Sequence, residues 1–467
     1  MSETRDTGGS PTPGATSGAG VHGTIAARID RLPITRTHRR ATVAVGLGLF
    51  FDIYEVFLTP VLSTVLKTQF TLSAAELPPV LASTFIGMFL GAIVMGRLAD
   101  RIGRRRAFLL NLGLYSAFSL LGAFSPNAVW LMVTRFIAGI GIGAELPLAD
   151  TYLSDLLPAR FRGRFSAWAY TVSFIGVPFV GFLAKGLAPA TVFGIAGWRW
   201  IFVIGSLGAV VVLLLRSGLP ESPRWLESVG RDAEADRIAT GFEDEARAAG
   251  ARLEQPVAPF SDAVTDHVEP AGALLRPPLA KRTLMMVVFH LFQTLGYYGF
   301  GTMVPQVLAA KGFAVNQSLL FTALTFVGYP VGSLLSLPMV ERVERKFLII
   351  GAALLMLVFG LVFGFSSSMA PIFGFLYTAT SNVFSNAYHI YQAEIFPTAL
   401  RSTAASGTYS VSRLGSAIMP FVLFPLLHDV GVTALFTVIS AALLIVALDI
   451  AVLGPRTTGR TLESVNH

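Results

Sequence analysis

The chain has 467 residues, is 53% hydrophobic and only 13% charged, and contains no cysteine. A soluble protein carries roughly 25% charged residues, and a chain without cysteine has no disulfide, no thiolate metal site and no cysteine nucleophile. The formal charge is +7, which raises the question of a nucleic-acid partner; the placement of the basic residues answers it below.

Residues 1–40 are polar, rich in Gly, Ser, Thr and Pro, and end in RTHRRA without a signal-peptide pattern. They are expected to form a disordered cytoplasmic tail, 1–40. Apolar stretches then recur along most of the chain. A hydrocarbon core about 30 Å thick needs about 20 helical residues to cross it. Twelve spans are predicted, at about 41–66, 78–98, 107–124, 128–156, 166–188, 198–217, 283–309, 316–340, 347–366, 369–396, 402–427 and 432–453. The long polar stretch 218–282 reads as a partly helical cytoplasmic linker between an N-terminal bundle, 41–217, and a C-terminal bundle, 283–453. A cytoplasmic tail, 454–467, closes the chain. The expected fold is an all-α membrane protein of twelve transmembrane helices in two pseudo-symmetric six-helix bundles.

The first span holds FFDIYEVFLTP, with Asp52 and Glu55 among apolar neighbours. Three residues apart, the two acids project from nearly the same side of a helix. An ionised acid in mid-membrane costs at least about 2.5 kcal/mol, and two together repel, so the pair is expected to share protons. Span four adds Arg135 and Glu145. Intramembrane charges of this kind mark proton relays and ion pathways; in the alternative reading they are structural pairs or acids snorkelling to water. Span seven offers His290, Gln293 and Tyr297 at helical spacing, and span ten offers Asn382, Asn386 and His389. Such groups line a polar cavity or hydrogen-bond between helices. Span eleven carries Arg413 one turn after Tyr409. A buried guanidinium can hold a carboxylate in bidentate fashion. The histidines lie on different spans without carboxylates, so no metal is expected. GIGIG sits inside an apolar helix without a preceding strand, and no phosphate-binding loop motif occurs, so a nucleotide site is not expected. No nucleophile–base–orienter set emerges, so the chain is not read as an enzyme.

With both termini inside, about 29 of the 35 Lys and Arg fall on the cytoplasmic side, the positive-inside pattern. Membrane orientation therefore accounts for the positive charge, and nucleic acid is not called for. The halves also repeat. GRLADRIGRR, Gly96 to Arg105, follows span two, and LPMVERVERK, Leu337 to Lys346, follows span eight. At an offset of 241, Asp100, Arg101, Arg104 and Arg105 match Glu341, Arg342, Arg345 and Lys346. YLSDLLPARFRG and YQAEIFPTALRS align at an offset of 239, pairing Asp155, Pro158 and Arg162 with Glu394, Pro397 and Arg401. Parallel six-span repeats are one plan of secondary transporters.

These motifs are similar to those of the major facilitator superfamily. GRLADRIGRRR resembles its loop signature after helix two, RFIAGIGIG the helix-four pattern of its sugar porters, and PESPRWL and LSDLLPARFRGR that branch's motifs after helices six and four. The group so resembled includes sugar porters, organic-ion transporters and bacterial niacin-type carriers related to synaptic vesicle proteins. The resemblance implies that Glu55 holds the place of the helix-one acid of proton-coupled sugar porters, facing Arg135. It implies that Gly96, Asp100, Arg101, Gly103, Arg104, Asp155, Arg162, Glu341, Arg345, Glu394 and Arg401 build clasps between helices at the cytoplasmic face. Of the sugar porters' helix-seven amides only Gln293 remains, with Phe292 and Tyr298 at the other positions. SRLGS, Ser412 to Ser416, resembles the helix-eleven pattern of organic-anion carriers, whose arginine matches Arg413.

The expected function is proton symport of a small organic anion, such as an aromatic monocarboxylate, by alternating access in the bacterial inner membrane. Protons are the coupling ion, no cofactor is needed, and the functional unit is a monomer in the lipid bilayer. Arg413, Tyr409, His290, Gln293, Tyr297, Asn382, Asn386, His389 and Tyr54 are the expected substrate-binding residues. Asp52, Glu55, Arg135 and Glu145 are the expected coupling residues, with Glu55 ahead of Asp52. A sugar or polyol symporter, an uncoupled facilitator and a transport-dead sensor are the alternatives.

Overall fold

A computed structural model describes residues 24–255, 271–277, 279–396 and 398–457. The N-terminal half is built from α2 (Arg36–Gln69), α3 (Leu77–Ile102), α4 (Arg104–Ala123), α5 (Ala128–Gly143), α6 (Glu145–Leu156), α7 (Ala159–Leu187) and α8 (Gly197–Ser217). Short helix α1 (Ile25–Asp30) precedes them, and α9 (Pro223–Ser228) and α10 (Asp232–Ala248) follow. The C-terminal half is built from α11 (Leu279–Thr294), α12 (Phe300–Ala310), α13 (Val315–Phe326), α14 (Gly328–Arg342), α15 (Arg345–Phe365), α16 (Ala370–Glu394), α17 (Thr398–Pro425) and α18 (Val432–Leu453).

Among the described residues ten segments are long and apolar enough to cross a membrane, including α5 continued by α6 and α13 continued by α14. The other two long segments complete the twelve. One is α11 and α12, joined through a π turn at Leu295–Gly299; the other is α16, with its polar run. These two carry the polar residues singled out from the sequence in spans seven and ten. A π turn inserts a residue into the helical ladder and commonly marks a functional site.

The twofold repeat is visible in the packing. In α3, Gly87 and Gly91 press against the backbone carbonyls of Phe136 and Ile140 in α5. In α14, Gly328 and Gly332 press against those of Phe375 and Ala379 in α16. The glycines correspond at the offset of 241 and the carbonyls at 239, the two offsets of the loop motifs. A Cβ at any of the four glycines would strike backbone. Absent side chains let two helices approach in a medium where hydrophobic burial offers little drive. Gly139 and Gly143 serve the same packing from the α5 side, against Thr84 and Met88, and Gly141 lets α5 approach α4 at Asn111.

The end of the molecule bearing α1, α9 and α10 is called the basic end. Here the expected tail boundary is corrected. Residues 24–40 are ordered, and α2 begins at Arg36 rather than at 41; residues 1–23 lie outside the described ones. The cause is a charged seam. Arg28, almost fully buried, bonds Glu243 at 2.9 Å and also Asp236 and Thr240 of α10. Arg31 adds a second bond to Glu243 at 2.5 Å. Asp30 holds Arg162 at 3.0 Å and Arg224 at 2.9 Å. Glu245 accepts the Thr37 backbone N–H at 3.0 Å, His38 stacks on Phe242, and Thr35 caps α2. Composition alone reads this segment as disordered because its partners lie about 200 residues away.

Arg28→Ala is expected to free α1, because removing one member of a buried pair costs about 3–5 kcal/mol locally. Protease cleavage within residues 24–35 should become rapid while the bundles stay intact; unchanged protection would contradict the seam. Burial opposes the charge on Glu243, but the bonds from Arg28 and Arg31 outweigh it and hold its carboxyl below the usual range. The seam should therefore persist above the ordinary carboxylate range and loosen only as pH falls through the lowered value.

Candidate functional site

The N-terminal half contains a buried cluster of three acids and two arginines. Glu55 of α2 is fully buried and receives Arg135 of α5 at 2.5 Å and the Ser119 hydroxyl at 2.7 Å. Arg135 also donates to the Glu55 carbonyl at 2.6 Å and to Thr84 at 3.3 Å. Glu145, at the start of α6, is paired with Arg216 near the end of α8, and Asn111 approaches it at 3.4 Å. Arg216 also donates to the α2 carbonyls of Ala44 and Val45, each at 3.2 Å, and lies over the Phe108 ring. Arg216 is only 2% exposed. A basic residue at the end of an apolar span reads as positive-inside, and only the fold brings it to Glu145.

Asp52 stands between these pairs. The fields of Glu145, Arg216 and Glu55 reach it, and the Tyr115 hydroxyl is its hydrogen-bond neighbour. Among the described residues its buried carboxyl oxygens make no hydrogen bond of ordinary geometry, the Tyr115 hydroxyl beside them included. Two acids thus have a guanidinium each, and the third has none.

In the C-terminal half the matching feature has the opposite sign. Arg413 of α17 is 2% exposed, with no acidic partner among the described residues. It donates to the hydroxyls of Tyr409 at 2.9 Å and Tyr298 at 3.3 Å, both rings lying within cation–π range. Its Nε has no partner. His389 and Tyr388 of α16 and His290 of α11 crowd the same tyrosines, with centroids of His389 and Tyr409 5.8 Å apart. Tyr298 reaches across to Phe85 of the other half.

The remaining predicted binders separate. Gln293 is buried with neither amide atom bonded to a described residue. His290 is bonded to Gln392 at 2.7 Å. Tyr297 donates to Asn382, which donates to the Tyr329 carbonyl at 2.6 Å. Asn386 donates to Ser336 at 2.6 Å. These asparagines spend their bonds joining α16 to its neighbours. Tyr54 is corrected outright: it donates to the Ile201 carbonyl at 2.6 Å, buried between α2 and α8 away from Arg413.

The exposure of two residues marks the space between the halves as reached by solvent from the basic end. Asp150 of α6 and His389 of α16 are solvent-exposed, although each contacts groups deep between the halves. Asp150 has Tyr170 as hydrogen-bond neighbour and feels Tyr409 across the cavity. Neither Asp150 nor Tyr298 was singled out from the sequence as a site residue, although an acid within a span is itself a signal. At the opposite end the halves meet: Gln306 bonds Ser63 at 2.9 Å, and Phe57 packs on Phe326 and Tyr329.

The expected clasps are more local than the sequence suggests. Asp100 pairs with Arg104 at 2.5 Å across Gly103, whose φ of +100° favours glycine, and Asp100 itself is largely exposed. Arg101 and Glu341 are exposed, and Gly96 faces open space. Of the other expected clasp residues, Asp155 bonds Ser222 of the α8–α9 link at 2.7 Å, and Arg162 goes to Asp30. The C-terminal counterpart joins Arg345 to Glu394 at 3.4 Å. The Arg401 side chain lies outside the described ones.

The family described as sugar (and other) transporter matches residues 42–467. A putative metabolite transport protein of Bacillus subtilis is 32% identical over 93% of this chain and 96% of its own. The niacin transporter of Acinetobacter baylyi is 32% identical over 94% of this chain and 99% of its own. Among solved structures, the xylose transporter of E. coli in a partially occluded inward-open conformation superposes with a TM-score of 0.74. That match is 20% identical and covers 91% of this chain and 99% of the other.

Proposed function

The chain belongs to the sugar (and other) transporter family of the major facilitator superfamily, a membrane carrier and not an enzyme, and on that premise we propose proton symport of an aromatic monocarboxylate. The observation that carries this reading is Arg413, a buried cation with two tyrosine hydroxyls and no acidic partner among the described residues. A carboxylate is its natural partner, held by a planar fork of donors. The flanking rings of Tyr298, Tyr388, His389 and Tyr409 suit a flat aromatic body. The niacin transporter named above supports an aromatic acid as cargo. The basic end is read as cytoplasmic from the positive-inside bias, so the cavity faces inward, in a bacterial inner membrane.

Coupling follows from charge balance. Glu55 and Glu145 are neutralised by Arg135 and Arg216, and Asp52 is left to take one proton. One proton moving with one monoanion transfers no net charge, so only the pH gradient drives accumulation, at about 1.4 kcal/mol per pH unit. The proton site also sits on the gate: α2 carries Asp52 and Glu55 and, within the next three turns, Phe57 and Ser63 of the closed end. Protonation changes how α2 is seated against α5 and α8 and thereby biases the gate.

The test is uptake of labelled nicotinate or benzoate into proteoliposomes. Accumulation should follow an imposed pH gradient, collapse with a protonophore and ignore an imposed potential. Accumulation driven by potential would require a second proton, adding about 2.3 kcal/mol per 100 mV. A sugar-carrying reading has one observation in its favour, the unpartnered amide of Gln293, which a substrate hydroxyl could fill. Competition by neutral sugars, with none by aromatic acids, would establish it instead.

A further inference from the structure

We propose that a groove between the start of α2 and the end of α8 binds an anionic phospholipid of the inner leaflet. The groove encloses about 580 Å³ and is lined by Arg36, Arg39 and Arg40, then by Val43, Leu215 and Gly218. The three arginines and Val43 stand at i, i+3, i+4 and i+7, one face of α2. All three are exposed and form no ion pair with a described residue. No carboxylate lines the groove. The nearby acid, Glu245, is already committed to the Thr37 backbone N–H.

Helix stability does not explain this arrangement. The first turn of α2 has no acidic residue, and basic groups at a helix N-terminus oppose the macrodipole. Positive-inside orientation needs charge on this side but does not need charges converging on a recess. The recess is amphipathic along the membrane normal. Its arginines sit where α2 enters the apolar region, and its lower lip is apolar and turned outward, with Val43 60% and Leu215 49% exposed. A phosphodiester at the arginines with acyl chains over Val43 and Leu215 satisfies both parts. Arginine suits phosphate because its fork matches two oxygens. A soluble phosphate would satisfy only the charged part, and the outward apolar lip therefore assigns the site to lipid.

The experiment uses the full-length protein and native mass spectrometry after exchange into mixed phosphatidylglycerol and phosphatidylcholine. The wild type should retain phosphatidylglycerol selectively. R39Q/R40Q should lose about 25-fold of that preference, from about fivefold per arginine near an anionic surface. R106Q/R164Q, an equal loss of exposed charge on the same end, should change it less than about twofold. Val43→Trp keeps every charge but fills the lip, and should also lower retention. R39K/R40K should keep most of it, which separates binding from folding. Equal losses in the two glutamine doubles would overturn the proposal in favour of general surface charge. So would unchanged retention in Val43→Trp. Displacement of the lipid by free glycerol 1-phosphate at matched concentration would show a headgroup site without acyl recognition, and would also overturn it.

Discussion

Arg413→Gln is expected to remove binding of an aromatic carboxylate while leaving the protein at least as stable as before. Truncating one partner of a buried charge pair costs about 2–5 kcal/mol of affinity, a loss of roughly 30- to several-thousand-fold. The usual objection to such a variant is that it damages the fold. Here the balance runs the other way, because Arg413 is a buried cation whose hydrogen-bond partners among the described residues are hydroxyls. Replacing it with a neutral amide relieves desolvation that no carboxylate offsets. Thermal midpoint should hold or rise, and the shift produced by added nicotinate or benzoate should vanish. Arg413→Lys preserves charge but supplies a point donor in place of a fork, and about tenfold of affinity should be lost. Wild-type affinity in Arg413→Gln would remove Arg413 from the binding site.

Sequence patterns reported on features that are local or periodic. The span lengths reflect the thickness of a bilayer, and two loop motifs at offsets of 241 and 239 pointed to two equivalent halves. The paired glycine seams of Gly87 with Phe136 and Gly328 with Phe375 carry those same offsets into the packing. Glu55 with Arg135, and Arg413 with Tyr409, were also legible, the first through a resemblance and the second through spacing. Partners that only the fold brings together were not. Arg216 looks like any terminal arginine until α8 lays it against Glu145 and two α2 carbonyls. Arg28 looks like tail until α10 supplies Glu243. Tyr54 neighbours Glu55 in sequence, yet its ring turns to Ile201. Asn382 and Asn386 share a helix face with His389, but the asparagines are consumed by Tyr329 and Ser336, and His389 alone stays exposed.

The same distinction decides which acid of FFDIYEVFLTP carries the proton, and two variants separate the candidates. From sequence, Glu55 leads, and Glu55→Gln is expected to abolish accumulation while sparing exchange. The packing assigns the two acids different environments. Glu55 accepts Arg135 and Ser119, and Arg135 clasps its backbone carbonyl as well. Glu55→Gln therefore leaves Arg135 as an uncompensated buried charge, at a cost of about 3–5 kcal/mol. That variant should lose thermal stability together with transport in every mode. Asp52 has nothing to lose of that kind, because no guanidinium among the described residues pairs with it. Asparagine at position 52 imitates the protonated acid in shape and charge, so Asp52→Asn should be as stable as the wild type. It should still bind and exchange substrate across the membrane, and it should fail to accumulate substrate against a gradient at any imposed pH difference. The pair of readouts is what discriminates. If Asp52→Asn accumulates substrate normally and Glu55→Gln is stable but uncoupled, the proton resides on Glu55 and Arg135 is released during transport. If Asp52→Asn alone is uncoupled, the guanidinium pairs are the fixed frame, and the unpaired acid between them is the titrating element.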